Sequence, residues 1–178
     1  MRRLWVFALL FVGFVGAPRA ATWVLESSTL TYRVTHRLHK VEGTSHASRG
    51  KGLCDASGCR FLVAAPVGTF ESGDSNRDLH MIETTRGAQF PMVKVSVNLE
   101  GVPAGEEFTA DLAIEFAGKS HRYPSVPFRV SDRSGGFRFR GQIPLRLTDF
   151  TVPAPSLLGM AVKDEVPVDV EMAWSKKP

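Results

Sequence analysis

Residues 69–92 read TFESGDSNRDLHMIETTRGAQFPM. The stretch leaves an apolar run from Phe61 to Phe70, turns through Ser72-Gly73-Asp74 and enters a short helix. Ser75 is placed to cap that helix with Asp78 three residues on, and Gly87 is placed to end it. Extended chain resumes at Pro91. Leu79 and Ile82, three residues apart, predict an apolar helix face turned toward the rest of the molecule. Arg77 and Asp78 admit two readings. One is a polar gate, with Arg77 meeting an anionic or carbonyl head group. The other, which is preferred, is a helix-start pair in which Asp78 favours the N-terminal end and Arg77 pairs across to a strand. His80 reads as a partly exposed packing residue.

Outside this stretch the chain alternates with period two. Leu30, Tyr32, Val34 and His36 share a face, as do Val93, Val95, Val97 and Leu99. Phe108, Ala110, Leu112, Ile114 and Phe116 form a third row. Phe137, Phe139, Gly141, Ile143, Leu145 and Leu147 form a fourth, and Val166, Val168, Val170, Met172 and Trp174 a fifth. Each row alternates with mostly polar residues, the mark of an antiparallel strand with one face on a core and one in water. Segments of about 9 to 13 residues joined mostly by short turns suit an eight-stranded, closed up-and-down β-barrel better than a sandwich. The expected fold is therefore all-β with one short helix between strands. The polar segment from Val41 to Leu53, with Gly43, Gly50 and Gly52, predicts a weak or edge strand whose glycines allow sharp curvature. Turns are expected at 101–105 and 134–136.

Residues 1–20 read as a secretory signal. Arg2-Arg3 precede an apolar run from Leu4 to Val15, and the small residues Gly16, Ala17 and Ala20 follow. The run is shorter than the roughly 20 residues a spanning helix needs. Export to the periplasm and a single domain over residues 21–178 are expected. Removing Arg2, Arg3 and Arg19 takes 22 basic residues to 19 against 18 acidic ones, a net charge of +1. With no block of Lys or Arg, a nucleic-acid partner is rejected. Cys54 and Cys59 bracket a hairpin loop, and in an oxidising compartment a disulfide clamp is preferred to a redox or metal role.

Signals of catalysis are weak. The five histidines (His36, His39, His46, His80, His121) show no ligand spacing, so no metal is expected. No serine sits in a GxSxG elbow, the paired carboxylates Glu106-Glu107 and Asp164-Glu165 fall in turns, and the glycines are too isolated to cradle phosphate. A binding protein without a resident cofactor is expected, not an enzyme.

Several segments together resemble the YceI-like domain family, also called polyisoprenoid-binding proteins. They are Trp23; Leu30 to His36; Val41-Glu42-Gly43; Gly68 to Gly73 leading to Arg77-Asp78-Leu79-His80; Phe90 to Val95; and Leu147 to Phe150. The resemblance runs from Trp23 to about Trp174. It implies a lipocalin-like barrel with a hydrophobic tunnel for a long isoprenoid tail, such as a polyprenyl phosphate or a quinone-like lipid. Tyr32, Val34, Phe70, Leu112, Ile114, Phe116, Phe139, Ile143 and Met172 are then the expected tunnel wall, with His36 and Arg77 at a polar end near the helix. The chain departs from the family at Ser45, where an aromatic residue is usual, and in the polar run after it. The cysteine clamp is not a general family feature. One polar wall implies a shorter or more functionalised amphiphile. The rival expectation is a filled barrel with no ligand, acting as an interaction module with a membrane redox protein or in a stress response. A homodimer is a further expected partner state.

Overall fold

The computed structural model describes residues 20–35, 40–134, 136–154, 156–157 and 160–177. The segment before Ala20, expected to be a secretory signal, lies outside the described residues together with His36 and His39. The strands are β1 (Ala21–Thr35), β2 (Lys40–Ser45), β3 (Arg49–Asp55), β4 (Gly58–Pro66), β5 (Met92–Leu99), β6 (Glu107–Phe116), β7 (Lys119–Asp132) and β8 (Gly136–Arg146). After β8 come a small hairpin, β9 (Ser156–Leu157) with β10 (Met160–Ala161), and finally β11 (Glu165–Lys176). One helix, α1 (Ser75–Thr84), lies between β4 and β5.

Neighbouring strands pair antiparallel in the order β11-β8-β7-β6-β5-β4-β3-β1-β2, and β1 pairs again with β11 to close the barrel. β2 and β3 act as one stave. β2 pairs with the later half of β1 (Leu30–Thr35) and β3 with its start (Ala21–Val24). The barrel thus has eight staves, as the alternation and strand lengths predict. The polar Val41–Leu53 segment is not one weak strand but two strands parted at His46–Ser48. Beside the break the sheet is stitched by the Thr44–Glu71 bridge, with backbone hydrogen bonds of 2.9 and 3.0 Å.

Two bulges decide which side chains face inward. In β1, Leu25 opposes Trp174 and Ser27 opposes Ala173, leaving Glu26 as the extra residue. The bulge switches the inward parity, so Trp23 and Leu25 before it and Ser28 and Leu30 after it are all buried. In β7, Pro124 and Ser125 stand opposite the single residue Asp111. Ser125 takes a left-handed conformation (φ 52°), and its N–H donates to Asp111 Oδ1 at 2.8 Å. Tyr123 and Val126, three apart, are therefore both buried. At the opposite end from α1, the β3–β4 hairpin is closed by the Cys54–Cys59 disulfide across directly paired residues.

The helix differs from its sequence reading in three details. Its N-cap is Asp74, not Ser75: the Asp74 carboxylate accepts from the N–H groups of Asn76 and Arg77 at 3.0 and 3.1 Å. Asp74 keeps an extended backbone (φ −142°), as a capping residue must. At the far end Arg86, not Gly87, is the left-handed residue (φ 57°). Gly87 N–H donates to Ile82 O and Arg86 N–H to Glu83 O, the paired bonds of a Schellman stop. Arg86 is held there by donating to Ala117 O at 2.5 Å and covering the Phe90 ring. Lastly, Leu79 points away from the barrel and is 59% exposed.

Candidate functional site, an apolar tunnel

The barrel encloses a cavity of about 480 Å³, running from the α1 end to the opposite end. That lies within the roughly 300–1,000 Å³ range of ligand-binding cavities. Its walls are the inward rows. Leu30, Tyr32 and Val34 come from β1, Val93 to Leu99 from β5, Ala110 to Phe116 from β6, Ile143 and Leu145 from β8, and Val166 to Met172 from β11. These side chains are inward because the strands alternate, and they are apolar because each row reads so in sequence. A core filled by side chains is not what the barrel contains.

The floor, away from the helix, is aromatic. The Phe137 ring stands 5.3 Å from Trp23 and 5.9 Å from Phe139, and lies nearly parallel to Trp174. Phe61 meets Trp174 edge-on at 5.0 Å, and Phe108 stacks on Phe128 at 5.3 Å. Glycines make room for these rings on the wall. A Cβ on Gly52 would collide with the Phe61 ring directly opposite it, and one on Gly50 would come within 2.6 Å of Trp174. Gly43 sits under Tyr32 and Gly141 under Phe128 in the same way. The glycines of the polar segment therefore serve close approach of aromatic rings as well as curvature.

The mouth is formed by the α1 face carrying Arg77, His80, Met81 and Thr84 and by Thr85 just after it, with Val41, Phe70, Val152 and Val162 around it. Arg77 does not pair across to a strand. Its Nε donates to Ser72 Oγ at 2.9 Å and a terminal nitrogen to Ser72 O at 2.8 Å. Asp78 Oδ1 accepts from the same residue, from Ser72 N and Oγ, so the pair fastens the loop before the helix. Burial, then the charge of Asp78, pushes the Tyr32 phenol up, while Arg77 opposes the shift. Nearby, buried Ser45 shares a 2.7 Å hydrogen bond with Thr69, whose Oγ1 donates to Pro66 O. Ser45, in place of an aromatic residue, is thus tied to the short turn that spans the parted sheet. Beside the mouth, Tyr123 donates to Asp149 Oδ2 at 2.7 Å, and burial holds its hydroxyl well above the usual phenol range.

Of the eleven expected ligand-contacting residues, Tyr32, Val34, Phe70, Arg77, Leu112, Ile114, Phe116, Phe139, Ile143 and Met172 line this cavity. The eleventh, His36, lies outside the described residues. The sequence reading did not select Phe61, Phe137 and Trp174, nor the helix face of His80, Met81 and Thr84, all of which also line it. Phe137 and Trp174 stood in inward rows, and the 3.6-residue spacing from Arg77 to Thr84 carried the helix face. No group of three or more potential metal-ligating side chains occurs among the described residues.

No family model and no curated protein matches the chain. Solved structures do. BcnA of Burkholderia cenocepacia superposes with a TM-score of 0.67 at 15% identity, covering 82% of this chain and 95% of its own. A polyisoprenoid binding domain from Saccharophagus degradans, implicated in plant cell wall breakdown, gives 0.66 at 17% identity, covering 87% and 98%. The Campylobacter jejuni YceI protein gives 0.65 at 12% identity, covering 81% and 89%. The resemblance to YceI-like proteins holds at the level of the fold.

Proposed function

We propose that this chain belongs with the YceI-like, polyisoprenoid-binding barrels and carries a long-chain isoprenoid or similar amphiphile in its tunnel. The observation that carries this reading is the continuous apolar cavity of about 480 Å³ along the barrel. A chain drawn into it gains roughly 25 cal/mol for each Å² of apolar surface removed from water, and needs few polar contacts to be held. The protein is a binding protein and not an enzyme, exported to the periplasm by the segment ending at Ala20. There it would move or store a lipid that water does not dissolve. The shared fold with a polyisoprenoid binding domain supports the class of ligand.

The test is calorimetric titration with geranylgeraniol. Saturable binding is expected, and Phe116→Trp and Phe139→Trp, which narrow the tunnel at two heights, are each expected to weaken it about tenfold. Unchanged binding in both variants would mean that the tunnel wall is misassigned. Absence of binding to the unaltered protein would remove the carrier reading.

A further inference from the structure

Among the described residues, the barrel wall is interrupted between β2 and the end of β4. The β3–β4 ladder stops at Arg49 and Ala64, and above it β2 pairs with β1 alone. Across the gap, Ala65 and Pro66 at the end of β4 pair with β5 only. The segment that follows β4 closes this seam. Two backbone bonds join Thr44 to Glu71 at 2.9 and 3.0 Å, and Ser45 Oγ shares a 2.7 Å hydrogen bond with Thr69 Oγ1. Between these two ties, the Phe70 ring leans on Tyr32 with centroids 5.7 Å apart.

The seam gives onto the tunnel. Val41 of β2, Tyr32 and Val34 of β1, and Ala65, Val67 and Phe70 on the other side all line the cavity. The cover over the seam is held unevenly. At its C-terminal end Arg86 donates to Ala117 O at 2.5 Å, Gly87 is buried against Val67 and Ile82, and the Phe90 ring leaves no room for a Cβ on Gly118. Along the helix no residue of α1 is buried. Arg77 and Asp78 bond to Ser72, inside the cover itself, and so stiffen it without tying it to the barrel. The cover is thus anchored at Arg86–Phe90 and latched to β2 through Thr69 and Glu71.

Parting two staves elsewhere breaks a whole ladder, such as the one that runs from Cys59 to Pro66 along β5. Parting the latch releases a few polar groups whose hydrogen bonds water takes over, so it is the cheaper opening. A slit in the side of the barrel also lets an apolar tail slide in while its polar end stays in water. We infer that the amphiphile enters and leaves sideways through the β2–β4 seam, when the segment from Thr69 to Thr85 lifts off β2 about its anchored end. The inference rests on the carrier reading and adds the route.

Thr44 and Glu71 are a hydrogen-bonded antiparallel pair, a position whose Cα atoms stand about 5.5 Å apart, within the span of a disulfide. The double variant Thr44→Cys/Glu71→Cys is loaded with tritiated geranylgeraniol while reduced, and part of it is then oxidised. Release of the label to excess phosphatidylcholine vesicles is followed for both forms. Release from the oxidised form is expected to be at least about tenfold slower, while the unaltered protein releases at one rate with or without reductant. Ser45→Ala lacks one tie of the latch and is expected to release about fivefold faster than the unaltered protein. It decides the matter if the paired cysteines do not join, unchanged release then overturning the route. Equal release from the oxidised and reduced double variant overturns the route and leaves the carrier reading standing. So does a slowing that the unaltered protein shows equally, because it then comes from Cys54–Cys59. Failure of the unaltered protein to retain any label overturns the carrier reading and the route together.

Discussion

The mouth and the floor of the barrel differ in what holds them together. At the mouth polar groups are numerous and engaged with their own chain: Arg77 and Asp78 with Ser72, Asp74 with the helix start, Ser45 with Thr69. At the floor the packing is of rings against rings, with Phe137 set against Trp23, Phe61 and Trp174. The side chains that look functional in sequence thus hold the entrance together. Those that look like core packing line the tunnel.

The largest effect that tests this contrast is on stability. Phe137→Ala removes a ring packed against Trp23, Phe61, Phe139 and Trp174, and is expected to cost about 3–5 kcal/mol in urea denaturation. Leu79→Ala at the mouth, on the outer helix face, should stay within about 0.5 kcal/mol. Similar losses for the two would erase the distinction. Replacing Cys54 and Cys59 by serine opens the short loop below the floor and is expected to cost about 2 kcal/mol, read by the same denaturation.

Asp74→Ala is smaller and local. Losing the cap should cost α1 about 1 kcal/mol, seen as faster hydrogen exchange of the helix amides with the ladder amides unchanged. Global destabilisation instead would mean that the helix and barrel unfold as one unit. The smallest effect is with pH. Asp164 at the mouth accepts from Thr148 Oγ1 at 2.8 Å and Thr148 N at 2.9 Å, and the hydroxyl contact first of all holds its carboxyl below the usual range. A depressed folded-state pKa means stabilisation present above the unfolded value of about 3.9 and lost as pH falls through the folded one. Acid titration of stability should therefore show a component below about pH 4 that is missing in Asp164→Asn.

Much of this was legible in sequence, and the gaps have physical reasons. The inward rows of β5, β6, β8 and β11 were readable because their ladders keep alternation through the apolar face. β7 was not: Pro124 and Pro127 interrupt it, and the Pro124–Ser125 bulge flips the inward face between Tyr123 and Val126. The Glu26 bulge hid Trp23 and Leu25 from the Leu30 row in the same way. Helix caps slipped by one residue at each end because Asp74 and Ser75 are equally good caps by type, and because Arg86 takes the glycine-like position through its bond to Ala117.

Solvent extraction of the purified protein followed by mass spectrometry of the extract tests the carrier reading most directly. One long-chain amphiphile per protein molecule is the predicted result. A blank extract, together with a crystal structure whose barrel interior is filled by side chains, would contradict it.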